Sequence, residues 1–264
     1  MHCSPGRMKL TVYILVLLIG HMLGAQPADS IKAWNGLRFS SGLNQVKDEN
    51  LHPKVSRGFI TGFRYSYEKQ VRCLNMFQVQ FNWSRVKTKL EDVNKSVDIS
   101  LNSRYSRCAP VYGAGRVELF AGPETELAYN ASFFPNWDDS HLYWADYLSA
   151  GVKSVLVVHT KGGTEWTSGI SLPLISVSSR PDLFRLYKID DVSFGGIVKE
   201  LHSNPAFGSW ETLFALHGET GFRFPVYGRT MQSLEYSFDC MRMKHKGGNP
   251  GFRMVHSVSI TFYL

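Results

Sequence analysis

Nearly the whole chain alternates between apolar and polar residues with a period of two, and the alternating segments are long. In residues 252–264 the even positions are almost all apolar and the odd positions are mostly polar. Successive side chains of a strand point to opposite faces, so this pattern predicts a strand with one apolar and one polar face. Ten such segments occur, at 36–44, 55–68, 72–89, 97–110, 115–131, 148–159, 164–177, 209–226, 231–244 and 252–264.

The lengths of the segments and of their connections narrow the fold further. Several segments have 14 or more residues, whereas soluble strands usually have about 5–6 and strands that cross a bilayer need about 9–11. Connections after the even-numbered segments are short, at 69–71, 111–114, 160–163 and 227–230, and the others are mostly longer, at 45–54, 90–96, 132–147, 178–208 and 245–251. The sequence therefore predicts an all-β fold, a ten-stranded antiparallel transmembrane β-barrel with short periplasmic turns and long external loops.

A soluble β-sandwich or a lipocalin-like barrel would show the same period of two. Neither predicts strands of this length or long loops on one side only, and a soluble barrel would have an apolar interior. Here the polar faces carry acids and bases together, as a closed, wet interior would. The longest apolar run, residues 10–19, is shorter than the roughly 20 residues of a membrane helix, which excludes a polytopic helical membrane protein.

The N-terminus has the features of a secretory signal peptide. Arg7 and Lys9 precede the apolar run, and Gly24 and Ala25 supply the small residues of a cleavage site. We expect residues 1–25 to be a signal peptide, with a retained anchor as the alternative, and residues 26–264 to be the barrel domain. Removing two of 29 cations leaves 27 against 22 acids, a mature net charge of +5. These charges are scattered, so we expect no nucleic-acid partner.

The signal peptide, the alternating segments and the aromatic C-terminal strand resemble those of bacterial outer-membrane β-barrel proteins. The stretches at 169–174 (GISLPL) and 179–184 (SRPDLF) are most similar to barrels of uncharacterised function from Bacteroidetes-type bacteria. Such barrels usually end in Phe or Trp, and this chain ends in Phe262-Tyr263-Leu264. The resemblance implies a Gram-negative cell envelope, a place in the bacterial outer membrane, and contact with outer-membrane lipid and the barrel-insertion machinery. It implies no activity.

The polar faces predict a barrel interior filled with charged side chains. Barrels of about eight strands are filled by side chains, whereas 16–18 strands leave a channel. Buried charges must pair, because an unpaired one costs several kcal/mol or more. We expect an ion-pair plug, with a polar conduit or a catalytic cluster as alternatives. The expected lumen polar network comprises Arg116, Glu118, Glu124, Glu126, Glu211, His217, Glu219, Arg223, Glu235 and Asp239, and Arg38, Arg64, Arg104, Lys153, Glu165 and Arg253 share its faces.

No catalytic or metal-binding motif is prominent. A lipid hydrolase of this class needs His and Ser on one face of a strand, as in His-x-Ser, and the mature chain has none. The local candidates are His202-Ser203-Asn204, Asp138-Asp139 with His141, Asp190-Asp191, and His217 with Glu219. His202-Ser203-Asn204 lies in the longest expected loop, where these residue types are common. Solvated turns explain the two acidic pairs, and salt bridges explain His217 and Glu219. We therefore expect no enzymatic activity, no cofactor and no metal site.

Three cysteines remain in the mature chain, and residue parity predicts that they are unpaired. Cys73 shares the parity of lipid-facing residues, Cys108 that of lumen-facing residues, and Cys240 faces lipid several strands away. A disulfide needs Cβ atoms about 3.5–4.5 Å apart that point towards each other. We expect three free thiols, unless a β-bulge between Val97 and Cys108 reverses the parity.

Two of the long connections, 132–147 and 178–208, are rich in aromatic and aliphatic residues. We expect them to fold over the barrel mouth or to bind another envelope protein or a surface ligand, and 178–208 could contribute further strands. The preferred function is a non-enzymatic surface protein that is structural, receptor-like or accessory to an envelope complex. The alternatives are a small porin-like transport channel and an outer-membrane lipid hydrolase.

Overall fold

The computed structural model describes residues 32–48, 52–87, 95–134, 141–160, 162–180, 193, 195–196, 199, 202, 205–227, 230–244 and 249–263. Almost all of them lie in twelve strands: β1 (Lys32–Asp48), β2 (His52–Gln70), β3 (Leu74–Lys87), β4 (Lys95–Ala114), β5 (Val117–Phe134), β6 (His141–Trp144), β7 (Asp146–His159), β8 (Glu165–Ser179), β9 (Pro205–Gly208), β10 (Leu213–Tyr227), β11 (Thr230–Met243) and β12 (Gly251–Tyr263). That part of the chain contains no helix that is long and apolar enough to cross a bilayer. The expected signal peptide lies outside it.

The strands form one closed antiparallel sheet. Ten of them follow each other in the order β10-β11-β12-β1-β2-β3-β4-β5-β7-β8, and the pairing of β8 with β10 completes the circle. The short strands β6 and β9 pair with β5 and β8 and extend the wall at its loop end. Closure leaves no long unpaired edge around the circumference. The predicted ten-stranded antiparallel barrel is therefore confirmed.

Several strands extend beyond the predicted segments, and two predicted loops are partly strand. The connection expected at 132–147 contains the end of β5, all of β6 and the start of β7. The connection expected at 178–208 contains the end of β8 and all of β9. Ala145 interrupts the alternation between β6 and β7, and a strand of four residues is too short for a period to be visible.

The two faces of the wall differ in the predicted sense. Each of the ten barrel strands exposes large apolar side chains on its outward face, from Phe39 on β1 (57% exposed) to Phe262 on β12 (42% exposed). The buried inward-facing side chains are mostly Ser, Asn, Gln and charged residues. An apolar exterior around a polar interior is the arrangement of a barrel that spans a membrane, with lipid on the outside.

The cysteines follow the parity prediction. Cys73, Cys108 and Cys240 are all unpaired. The register between β3 and β4 is unbroken from Leu74–Cys108 to Lys87–Lys95, so Cys108 keeps its inward parity. The bulge in this region comes after it, between Pro110 and Tyr112.

Glycines on the inner face allow the strands to approach closely where the wall curves. A Cβ atom at Gly122 would overlap the carbonyl oxygen of Arg107, and one at Gly42 would overlap that of His256. Because the overlapping atoms belong to the backbone, neither site can accept a side chain without a shift of the neighbouring strand. Inner-face glycines of this kind allow a sheet to curve into a barrel.

We expect Gly122→Ala to lower the free energy of unfolding by about 1–3 kcal/mol, the usual cost of overpacking. Gly218→Ala is the matched control, because no atom lies within 4 Å of the Cβ position there. The measurement is the urea midpoint in detergent micelles, followed by heat-modifiable migration on a gel. Equal midpoints for the two variants would contradict the close approach at Gly122.

Candidate functional site: a charged belt across the lumen

Six charged side chains from six strands meet across the lumen, each near the middle of its strand. We call them the central belt: Arg38, Arg64, Glu124, Lys153, Glu219 and Glu235. The three cations are at most 5% exposed. Three carboxylates face them, so the belt carries no net charge. Burial of this many charges requires pairing on every side.

Glu219 is the centre of the belt. Its carboxylate lies 3.3 Å from Arg64 Nη1, 3.2 Å from Lys153 Nζ and 3.9 Å from Arg38 Nη2. Arg38 is also paired with Glu235, and Lys153 Nζ lies 3.6 Å from Glu124 Oε2. These contacts join β1 and β2 to β7 and β10, which lie on different parts of the wall. The belt therefore crosses the lumen instead of lining it.

An upper chamber lies between the belt and the rim with the long loops. Its volume is about 60 Å³, room for a few water molecules. Arg104 links Asp239 and Glu126 here, at 3.2 and 2.8 Å. His217 Nδ1 lies 2.6 Å from Asp239 Oδ1. The rest of the lining is mixed. Its neutral polar residues include Ser40, Gln80, Asn82, Ser100, Asn102, Asn130, Ser149, Ser171 and Ser257, its charged residues are Glu124 and Arg253, and its apolar residues include Ile60, Leu172, Ala215, Leu216 and Val255.

A lower chamber of about 80 Å³ lies on the side of the short turns. Arg223 lies 2.7 Å from Glu68 and is centred 4.0 Å over the ring of Tyr263. The Tyr263 hydroxyl lies 3.4 Å from a carboxylate oxygen of Glu235, which ties this layer to the belt. Nearer the turns, His159 lies between Glu118 and Glu165, at 3.6 and 3.3 Å. The belt thus lies between two small chambers, each lined by both polar and apolar side chains.

Eight of the ten expected network residues lie in these layers: Glu118, Glu124, Glu126, His217, Glu219, Arg223, Glu235 and Asp239. Arg116 and Glu211 do not. Both are exposed in turns, Arg116 between β4 and β5 and Glu211 before β10. Their assignment to the lumen was wrong because the alternation was extended past the ends of the strands, where parity no longer fixes direction.

Sequence reasoning missed other residues of the lumen. Glu68 and Tyr263 were not assigned to it, although Glu68 shares the parity of Arg64 and Tyr263 shares that of the polar face of β12. Two apolar clusters also lie inside the barrel and fill part of it. They comprise Leu74, Met76, Cys108, Phe120 and Val155 in one, and Ala128, Tyr147, Leu213 and Met243 in the other. The sequence analysis did not predict these clusters, because most other residues on the same strand faces are polar.

Most of the local catalytic candidates fall outside the described residues. This applies to Asp138-Asp139, Asp190-Asp191, Ser203-Asn204 and the side chain of His141. His202 is described, and its Nε2 lies 3.4 Å from the Tyr129 hydroxyl. Across the described ranges, no three His, Cys, Asp or Glu side chains are grouped so that they could hold a metal ion.

The upper chamber contains a Ser, a His and an Asp on three neighbouring strands. Ser171 lies directly opposite His217, and His217 lies directly opposite Asp239. Buried Ser171 Oγ has no hydrogen-bond partner among the residues that the structure describes. Glu219 Oε2 lies 3.5 Å from His217 Nε2, so the imidazole sits between two carboxylates. His217 Nε2 itself forms no hydrogen bond with any residue that the structure describes, so its ring is anchored through Nδ1 to Asp239.

The sequence matches no protein-family model and no curated protein. Solved structures similar in fold include the outer membrane protease OmpT from Escherichia coli, at 8% identity over 92% of this chain and 100% of that one, with a TM-score of 0.46. They also include the translocator domain of the autotransporter NalP from Neisseria meningitidis, at 6% identity over 97% and 95%, with a TM-score of 0.41. Neisserial surface protein A is 8% identical over 88% and 98%, with a TM-score of 0.36. Identities this low transfer no activity, and the similarity is one of outer-membrane barrels in general.

Proposed function

We propose that the protein is a bacterial outer-membrane barrel with a closed lumen that acts as a non-enzymatic surface protein, either structural, receptor-like or accessory to an envelope complex. The central belt is the observation that carries this proposal. The apolar outer wall, the one-sided loops and the expected signal peptide support the location. Contact with outer-membrane lipid and folding by the barrel-insertion machinery follow from that location.

The belt supports a plug over a channel on energetic grounds. A hydrated ion that crossed it would have to part Glu219 from Arg64 and Lys153, which hold it at 3.3 and 3.2 Å. Leaving one member of a buried pair without its partner costs about 3–5 kcal/mol. The chambers on either side hold only a few water molecules, so a passing ion would gain little solvation in return.

Current through planar bilayers tests the closed lumen. We expect the purified wild-type barrel to insert without producing stepwise currents. Insertion is verified separately by recovery of the protein from the bilayer lipid. Reproducible single-channel steps from the wild type would instead support the alternative, a small porin-like transport channel.

A lipid hydrolase is the second candidate, because Ser171, His217 and Asp239 are direct neighbours in the upper chamber. A fluorophosphonate probe, which reacts with activated serines, separates the two proposals. We expect no labelling of the folded barrel. Labelling that disappears in Ser171→Ala and persists in Ser149→Ala, a second serine of the same chamber, would establish a hydrolase.

Partner binding at the loop end would have to use the exposed aromatic side chains of the two apolar connections. Trp144 is fully buried, and its Nε1 donates to Ser179 Oγ at 3.3 Å, so it belongs to the wall. Phe133 and Phe207 are 45% and 76% exposed. We propose these two as the contact residues for an envelope partner or surface ligand. Loss of co-purifying proteins from native membranes in Phe207→Ser, but not in the lipid-facing control Phe39→Ser, would support this.

A further inference from the structure

Four basic side chains form a continuous cluster on the outer wall, at the rim with the long loops. We call it the basic rim patch: Arg57 on β2, Arg85 and Lys87 on β3, and Lys95 on β4. All four are exposed. They share the parity of the outward-facing residues of their strands, so they project from the wall and not into the lumen.

Three of these charges are direct cross-strand neighbours. Arg57 lies opposite Lys87, and Lys87 lies opposite Lys95. The Cβ atoms of opposite residues are about 4.5–5.5 Å apart, and like charges at this spacing repel each other. None of the three forms an ion pair or hydrogen bond with a residue that the structure describes. These three cations therefore have no counter-charge among the residues that the structure describes.

The patch lies directly above the apolar wall. Phe59 is opposite Arg85 and is 61% exposed. The Arg85 guanidinium is centred 5.2 Å from the ring of Trp83, which is 39% exposed. Trp beside a basic residue, with apolar side chains on one side and water on the other, is typical of the membrane–water boundary. The basic rim patch is thus placed at the height of lipid headgroups.

We propose that the basic rim patch binds the phosphate groups of an anionic lipid in the outer leaflet. Clustered Lys and Arg side chains supply the charge and the donors that phosphate oxygens require. The acyl chains of the same lipid would lie against Phe59 and Trp83. This inference rests on the membrane location proposed above and is independent of the closed lumen.

The opposite rim of the same strands provides an internal comparison. Lys69 on β2 and Arg107 on β4 face outward at the turn side, and Asn75 on β3 lies between them in the row. Their charges are therefore two strands apart and do not form a contiguous row. Removing Lys69 and Arg107 changes the net charge of the wall without touching the basic rim patch.

The test is the binding of fluorescent bisphosphorylated lipid A to the full-length barrel in uncharged detergent micelles. We expect saturable binding by the wild type. Each charge near a membrane surface contributes about five-fold to affinity, so Arg57→Gln/Lys87→Gln/Lys95→Gln should bind about a hundred-fold more weakly. Lys69→Gln/Arg107→Gln should bind within about two-fold of wild type, because its charges lie on the other rim.

Two further ligands identify what is recognised. The same glycolipid without its phosphates should not bind, and millimolar inorganic phosphate should not displace lipid A. The proposal would be overturned if the triple variant bound lipid A with wild-type affinity, or if the triple and double variants lost affinity equally. Displacement of lipid A by free phosphate would also overturn it. Heat-modifiable migration confirms that each variant is folded, and single variants replace the triple one if it fails to fold. A conducting wild type that still binds lipid A would overturn only the closed lumen.

Discussion

Glu219→Gln is expected to lower the free energy of unfolding by about 3–5 kcal/mol, the cost of removing one partner from a buried ionic cluster. The neutral amide would remove the carboxylate that lies 3.3 Å from Arg64, which is 3% exposed. Lys153, 2% exposed, would lose its contact at 3.2 Å and retain Glu124 at 3.6 Å. Arg38 retains Glu235 and is affected less. The measurement is the urea midpoint of the purified barrel in detergent micelles, read from heat-modifiable migration.

Glu118→Gln is the matched control for this change. Glu118 is in the same network, and its carboxylate lies 3.6 Å from His159, but its side chain is 36% exposed. An ion pair this open to solvent contributes about 1 kcal/mol or less. Similar losses of stability in the two variants would mean that the belt is hydrated and that its charges are not held by one another.

Removal of the belt should produce the second large effect, the onset of conduction. The variant Arg64→Ser/Glu124→Ser/Lys153→Ser/Glu219→Ser removes two cations and two carboxylates and keeps the pair Arg38–Glu235. The charge balance is preserved, and deletion of both partners costs far less than deletion of one. Because the belt separates the two chambers, we expect this variant to give stepwise currents where the wild type gives none.

A control with the same kind of change outside the belt is available at the turn end. His159→Ser/Glu118→Ser removes a His–Glu contact near the turns and leaves the belt in place. We expect this variant, like the wild type, to produce no stepwise currents in planar bilayers. Currents from both variants would show that the barrier to ions lies elsewhere in the lumen.

The wall of the barrel was predictable from the sequence because a period of two persists along most of the length of the long strands. On β8 the period reverses once, where adjacent Leu174 and Ile175 are both exposed. Glu124 and Glu126 were assigned to the lumen on parity alone, and both are buried there. Parity fails where a strand ends or bulges, which is why Arg116 and Glu211 were misplaced. A strand of four residues is too short to show a period, so β6 was not predicted and β9 was only allowed for, as a further strand within 178–208. Alternation reports the face of a residue only while the pairing continues.

The belt itself could not be derived from the sequence. Alternation places Arg38, Arg64 and Glu219 on inner faces but says nothing about which of them meet. Their contacts run across the lumen, from β1 and β2 to β10, and depend on the height of each residue above the turns. That height follows from the tilt and register of the closed sheet. These three residues belong to segments with the same alternating pattern, and the sequence alone does not show that they meet in one cluster.

Access of a membrane-impermeant thiol reagent to each chamber, from each side of the membrane, tests the division of the lumen most directly. In a protein whose Cys73, Cys108 and Cys240 are replaced by Ala, a single cysteine is placed in the lower chamber by Thr167→Cys or in the upper chamber by Ser257→Cys. With the barrel oriented in liposomes, Thr167→Cys should react from the turn side only, and Ser257→Cys should never react from that side. Reaction of Thr167→Cys from the loop side at the rate seen from the turn side would contradict a lumen closed by the central belt.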